Sequence, residues 1–280
     1  MLGIVIVSYK TDDATLRFVK EELRDISVPI RIVVVDNGAS PEEAAALAGR
    51  LDGKAEVRPS ENGGFAKGNN KGVRHLLSKG EMEAFLFVNN DIRFVTADSI
   101  GKLYSRLMEI PDAGAIGPEV VGTDGRRQSP EPYQSLWDKY VWMPLSTPFL
   151  SKDRKAKRFS LNYADQAGEG FHYKLMGSCL MVEAKAFLEA GMFDENTFLY
   201  AEEPILGERL AAIGKGCYFF PSVQVVHEHG ATISKHHDKK RMREMQFDSM
   251  AYYYKTYKGY SGPAIGFARL MSRLVGYLQR

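Results

Sequence analysis

Short apolar runs separated by helix-like patterns fill the first half of the chain. They predict strands at Leu2–Ser8, Ile30–Asp36, Ala55–Arg58, Ala84–Asn89 and Gly114–Pro118. The Ile30–Val35 run is rich in β-branched residues, as befits a strand covered on both faces. Alternation of such strands with helices points to a parallel sheet between helical layers. Ser40-Pro41-Glu42-Glu43 supplies a capping box with proline at the first helical position. Further helices are predicted over Lys67–Ser78 and Ala97–Ile110.

Periodicity fades between Gly122 and His172, where prolines, aromatic residues (Tyr133, Trp137, Tyr140, Trp142, Phe149) and a basic run from Lys152 to Arg158 accumulate. It resumes with a strand over Lys174–Val182 and a helix over Ala184–Ala190 that Gly191 stops. A helix over Glu203–Ile213 tolerates Pro204 in its first turn and ends at Gly214. Strands at Gly216–Phe220 and Val223–His227 follow, and from Arg241 two helices flank Gly259–Pro263.

Composition adds boundaries to this pattern. With 44% hydrophobic and 26% charged residues, the 280-residue chain has the make-up of a folded globular protein. A net charge of +2 argues against a general nucleic-acid binder. Cys179 and Cys217 are too few for a disulfide framework and lack metal-site spacing, so they read as buried thiols. No run reaches the roughly 18–20 apolar residues that cross a bilayer. Met1–Ser8 lacks a basic leader and reads as a strand, so the expected location is cytoplasmic.

Ligands of open α/β sheets gather beyond the C-terminal ends of parallel strands. Those ends carry Ser8-Tyr9, Asp36-Asn37-Gly38 and Asn89-Asn90-Asp91. Asp36 suits either an Asx turn or an acceptor for a donor group on a nucleotide base. Asn62-Gly63-Gly64 through Asn69-Asn70 is a glycine-rich helix entry, either a turn or an approach for an anion. Asp91, delivered by the buried strand before it, suits Mg²⁺ or Mn²⁺, though a solvated turn explains it equally well. Glu202-Glu203 could cap a helix, or could act as a base if aromatic surroundings raise a carboxyl pKa. His227 and His229 stand two apart on a strand, so they face opposite sides and do not share one metal.

In order along the chain, these elements resemble the inverting family-two glycosyltransferases of GT-A fold, particularly rhamnosyltransferase-like enzymes of surface polysaccharide synthesis. The resemblance rests on Ile4–Tyr9, Val35–Ser40, Asn62–Asn70, Asn89-Asn90-Asp91, Gly177–Met181, Gly191–Glu195 and Glu202-Glu203 to His227, and covers residues 1–235. It implies a Rossmann-like mixed sheet flanked by helices, with a nucleotide-binding half (1–121), an acceptor-binding and catalytic half (122–235) and a C-terminal helical extension (236–280). Ser8, Tyr9 and Asp36 would border the nucleoside, with Asp36 facing a pyrimidine. Asn62, Gly63, Gly64, Asn69, Asn89 and Asn90 would complete the donor pocket. Asp91 matches the last acid of the family's metal motif, whose first position is Asn89 here. His227 matches a histidine near the metal, with His229 as an alternative. Glu203 is the expected base and Glu202 its companion, while Ile205 replaces a usual aspartate. The implied reaction moves a sugar from dTDP-rhamnose or a UDP-sugar to a hydroxyl of a saccharide or lipid-linked saccharide, with Mg²⁺ or Mn²⁺.

The segment Tyr133–Arg158 falls where acceptor binding varies, and an acceptor lid is preferred there to contact with anionic lipid headgroups. Leu270, Met271, Leu274, Val275 and Leu278 share one helical face, read as packing on the body or a homodimer contact rather than a peripheral membrane anchor at the inner face of the plasma membrane. Lys235–Arg243 reads as a solvated face. A sugar-nucleotide pyrophosphorylase would need a glycine-rich basic loop after the first strand, which Ser8–Asp12 does not supply. A Rossmann dehydrogenase fails at the same place. A binding protein that has lost catalysis is kept in view by Asn89 and Ile205.

Overall fold

The computed structural model describes residues 1–146, 160–228 and 239–278. Its sheet begins with β1 (Leu2–Ser8), β2 (Ile30–Asn37), β3 (Glu56–Ser60) and β4 (Ala84–Val88), all parallel in the order β3-β2-β1-β4. Within β1, Leu2, Ile4 and Ile6 join one buried cluster while Val5 joins the cluster on the opposite face. Both faces are therefore apolar, as the near-continuous hydrophobic runs require.

Between these strands run α1 (Asp12–Arg17, continuing as a π-helical stretch Phe18–Glu22), α2 (Pro41–Leu51) and α3 (Gly64–Leu77). The capping box holds: Glu43 N–H donates to Ser40 Oγ, and Ser40 N–H donates to Glu43 Oε2 at 2.7 Å. The α1 helix is missing from the sequence reading because its apolar positions are few and a π-helical stretch breaks their period.

Beyond β4 the sheet becomes mixed, as the resemblance implies. Strand β8 (Cys179–Glu183) lies antiparallel between β4 and β6 (Ala113–Gly122), and β9 (Gly216–His227) pairs parallel to β6. Strand β9 is continuous where two strands were expected, with a register shift opposite Pro118/Glu119 accounting for the apparent break. Two short strands, β5 (Ile92–Phe94) and β7 (Gly170–His172), pair antiparallel with β9. The expected strand over Lys174–Val182 contracts to Cys179–Glu183, leaving Lys174–Ser178 as irregular backbone.

The remaining helices are α4 (Ser99–Glu109), α5 (Met143–Ser146, preceded by π-helical Asp138–Trp142), α6 (Ser160–Gln166), α7 (Ala184–Glu189), α8 (Glu202–Ala212), α9 (Lys239–Lys258) and α10 (Gly262–Leu278). A third core joins Leu136 and Tyr140 to Ala201 and Ile205 of the α8 entry, and to Phe247, Tyr253, Tyr254 and Ala268 of the last two helices. Ile205, where relatives were expected to carry an acid, is fully buried in this core. The C-terminal helix docks through Ala264, Ile265 and Ala268 rather than through the predicted face, and Leu270 and Leu274 remain 54% and 48% exposed. Small side chains let its backbone approach the body, so the bulkier face turns outward. Among the described residues no helix is long and apolar enough to cross a membrane. Cys179 and Cys217 are buried free thiols, as expected.

Candidate active site

A cavity of about 580 Å³ opens at the strand tips, within the range of small-molecule sites. Tyr9, Asn62, Gly64, Asn89, Asn90, Asp91, Glu202, Glu203 and His227 all line it. Residues from opposite ends of the sequence thus meet in one space. Ser8, Asp36, Gly63 and Asn69 do not form part of the lining.

The reasons are local. Ser8 is fully buried and its Oγ accepts from Thr15 Oγ1 at 3.0 Å. Asn69 donates to Phe65 O within its own helix, at 3.0 Å. Successive residues of a strand face opposite sides, and of the pair at the end of β2 it is Asn37 that reaches the cavity. Asn37 Nδ2 donates to Gly64 O at 3.1 Å, while its Oδ1 is buried without a hydrogen-bond partner. Asp36 is 3% exposed, and burial together with the charges of Asp12 and Glu43 pushes its carboxyl up to about 6. Asn90 is occupied structurally, donating to Thr11 Oγ1 at 2.9 Å and Thr15 Oγ1 at 2.7 Å.

The glycine-rich entry to α3 serves tertiary contact. Gly64 N–H donates to Asn62 Oδ1 at 3.3 Å and Phe65 N–H to Phe198 O at 2.9 Å, so two of the first helical donors are already satisfied. A Cβ on Gly64 would stand 1.9 Å from Phe198 O, and its φ of +89° suits glycine alone. The helix end is consumed in holding the loop that leads to Glu202, not left open for an anion.

Asp91 and His227 are brought together by antiparallel pairing of β5 with the end of β9, which sets Ile92 opposite His227. Glu228 N–H donates to Asp91 O at 2.9 Å and fixes the register. Asp91 Oδ1 lies 3.3 Å from His227 Nε2, yet it is buried with no hydrogen bond of suitable alignment. His227 Nδ1 sits 3.1 Å from Gln128 Oε1. With its proton on Nδ1, His227 would donate to Gln128 and offer Nε2 to a cation beside the Asp91 carboxylate. Ligands at about 2.1 Å in adjacent octahedral positions stand about 3 Å apart, so the spacing fits Mg²⁺ or Mn²⁺. Among the described residues no third His, Cys, Asp or Glu completes a protein-only metal cluster. His229, the alternative histidine, lies outside the described residues, as do positions 235–238 of the Lys235–Arg243 run.

Glu202 and Glu203 open α8 after two residues, Tyr200 (φ 71°) and Ala201 (φ 68°), in the left-handed region. Each costs about 1–3 kcal/mol without glycine. The surroundings hold them: Ala201 is buried in the third core, and Ser249 Oγ donates to Leu199 O at 2.7 Å. Asp194 anchors the same loop. Its carboxylate accepts from Tyr252 at 2.9 Å and Tyr257 at 2.6 Å, and pairs with Arg209 at 3.0 Å. Burial acts against its charge, but these donors and Asn196 hold the carboxyl below the usual range.

The two glutamates have different environments. Glu202 is 4% exposed, and burial reinforced by the neighbouring Glu203 charge pushes it up to about 8. Its Oε1 has no hydrogen-bond partner. Glu203 is half-buried, and its Oε1 accepts from Gly177 N–H at 3.2 Å. A Cβ at position 177 would stand 2.9 Å from that oxygen, which explains glycine there. Burial thus favours the neutral form of Glu202, while the less buried Glu203 lines the cavity beside it.

The sequence reading missed Glu131, Lys139 and Lys174, which also line the cavity. Glu131 and Lys139 come from the aperiodic region, where no spacing signals a side chain's direction, and Lys174 from a stretch expected as strand that is irregular backbone. From α9, Met242, Gln246 and Met250 complete the wall.

The chain is 25% identical over 250 residues to the N-acetylglucosaminyl-diphospho-decaprenol L-rhamnosyltransferase of Mycobacterium tuberculosis (strain CDC 1551 / Oshkosh), covering 81% of this chain and 76% of that protein. It is 28% identical over 204 residues to the low-salt glycan biosynthesis hexosyltransferase Agl10 of Haloferax volcanii, covering 72% and 59% respectively. The fold is similar to that of a mannosyltransferase from Pyrobaculum calidifontis solved with GDP-Man and Mn²⁺, at TM-score 0.60 and 12% identity over 98% of this chain and 73% of that one. It is also similar to GalNAc-T7 solved with UDP, GalNAc and Mn²⁺, at TM-score 0.60 and 13% identity over 92% and 49%. These neighbours make the architecture GT-A. The family model "Glycosyl transferase family 2" matches residues 3–174, more than half of the sequence, and the chain is therefore a glycosyltransferase of family 2.

Proposed function

We propose that the enzyme moves a sugar, with inversion, from dTDP-rhamnose or a UDP-sugar to a hydroxyl of a saccharide or lipid-linked saccharide in surface polysaccharide synthesis. The observation that carries this reading is one cavity lined by both the Asp91–His227 pair and Glu203. The rhamnosyl and hexosyl activities in the names of the relatives support the donor and acceptor classes.

In this reading Asp91 and His227 hold Mg²⁺ or Mn²⁺ together with donor oxygens. An ion held there would supply positive charge to offset that of the departing diphosphate. Glu203 takes the proton of the acceptor hydroxyl as its oxygen bonds to the anomeric carbon. The bond from that carbon to the diphosphate oxygen breaks on the opposite side, so a single displacement inverts the centre. Glu202, kept neutral by burial, adds no second negative charge beside the base. Tyr9 and Asn62, with Asn37 from the tip of β2, border the nucleoside. Residues 1–121 serve the donor and 122–235 the acceptor and the chemistry, and the helical extension from 236 completes the wall through α9. The enzyme works in the cytoplasm or at the inner face of the plasma membrane.

The test is release of nucleoside diphosphate from dTDP- and UDP-sugars with Mg²⁺ or Mn²⁺. We expect a chelator and Asp91→Asn each to abolish it. Turnover that survives both would remove the metal from the proposal.

A further inference from the structure

We infer that Lys139 and Lys174 form an anion-binding subsite for the acceptor, built to take a phosphate or diphosphate that joins the saccharide to a lipid. The inference rests on the glycosyltransferase reading of the same cavity and identifies a part of it that the donor does not use.

Lys174 is fixed twice to Glu131. Glu131 N–H donates to Lys174 O at 3.1 Å, and the two side chains form an ion pair at 3.1 Å. Lys139 projects into the same cavity from the π-helical stretch, between Leu136 and Tyr140, which are buried in the third core. The stretch is capped by Ser135, whose Oγ accepts from Asp138 N–H at 3.1 Å and donates to Asp138 Oδ2 at 2.6 Å. Its position is therefore set by packing rather than by charge.

The local charges are unevenly paired. Lys174 has Glu131, but Lys139 forms no ion pair among the described residues. Burial and the positive charge of Lys174 both act against its ammonium. The negative groups that favour it, Glu131 and Glu203, are respectively paired with Lys174 and assigned to the acceptor hydroxyl. A partly buried cation without a partner of its own is stabilised by an anionic ligand. Both lysines line the cavity with Glu203, and its negative charge favours the ammonium of each. The subsite thus belongs to the substrate that meets the base, the acceptor.

The outer face of the same element fits a lipid. Trp142 and Leu145 are 58% and 45% exposed just after Lys139. Helix α10 packs beside this stretch, with Trp137 and Phe267 rings 6.3 Å apart, and carries exposed Phe267, Leu270 and Leu274. An anionic head in the cavity and an apolar tail along this face describe one amphiphile.

The test uses the full chain and two acceptors with the same sugar, one on dodecyl diphosphate and one a neutral dodecyl glycoside. Calorimetric binding is measured for each without donor and with chelator present, then acceptor KM and kcat with donor. For Lys139→Gln we expect the preference for the diphosphate acceptor to fall about tenfold or more, expressed in KM, while Lys139→Arg retains most of it. Equal binding of both acceptors by the unaltered chain would overturn the inference. So would a loss in Lys139→Gln confined to kcat with a displaced pH profile, because Lys139 would then act through Glu203. The binding arm needs no turnover, so failure of the transferase reading shows separately, as an absence of product.

Discussion

The two polar borders of the cavity use their side chains in opposite ways. Along the rim made by β1, α1 and α3, most polar groups are spent internally: Ser8 on Thr15, Asn90 on Thr11 and Thr15, and Asn69 and Asn70 on nearby backbone carbonyls. Along the floor, Asp91 Oδ1, Ser178 Oγ and Glu202 Oε1 are buried and left without hydrogen bonds. A buried polar atom without a partner costs about 1–3 kcal/mol, and such a cost is tolerated where a ligand or proton transfer uses the atom. The rim organises the fold, and the floor keeps chemistry in reserve. Asn37 is the exception on the rim, with one orphan oxygen turned towards the donor side.

Substitutions can break or sharpen this contrast. The largest effect is expected for Glu203→Gln, which should lower kcat by about 10²–10⁴-fold while thermal-shift titration still detects donor. Undiminished turnover would remove the base from position 203. Next is Asp194→Asn. It leaves Arg209 without a charged partner and should cost about 3–5 kcal/mol in a urea melt, loosening the loop that carries Glu202 and Glu203. A loss below about 1 kcal/mol would mean that the loop is held by other contacts.

Asp36 gives a pH signature of middling size. Its folded carboxyl titrates at about 6 against an ordinary value of 3.8, so the folded form binds the extra proton. Its contribution is fully present below 3.8 and is lost as pH rises through about 6. Asp36→Asn should remove that decline, on the order of 3 kcal/mol. A stability curve of unchanged slope would show that burial of Asp36 is relieved elsewhere. The smallest effect belongs to Glu202→Gln, which replaces a carboxyl already neutral at pH 7 with a neutral isostere. A loss in kcat of under about tenfold is expected, and a loss as deep as that of Glu203→Gln would reverse the roles of the pair.

Much of this was readable in the chain. The capping box at Ser40, the strands from β1 to β4 and the C-terminal helices follow from local preferences that act within a few residues. The resemblance named Asp91, Glu203 and His227, and all three line the cavity. Alternation along β2 could have favoured Asn37 over Asp36 for the cavity face, but only with knowledge of which face was open. The aperiodic stretch after Gly122 hid Glu131 and Lys139 because its backbone follows no fixed repeat, and Lys174 was hidden by the strand expected to begin there.

The order of apolar and polar residues by itself determined the strands, most helices and the two-sided burial of the sheet, since hydrogen-bond geometry and the removal of apolar surface from water act on short repeats. Only the tertiary structure decided that β8 enters antiparallel, that β5 pairs with β9 to set Asp91 beside His227, and that Glu202 is buried more deeply than Glu203. Those outcomes depend on contacts between residues up to 137 positions apart in the chain, and on how deeply each charge is taken from water, which no local pattern encodes.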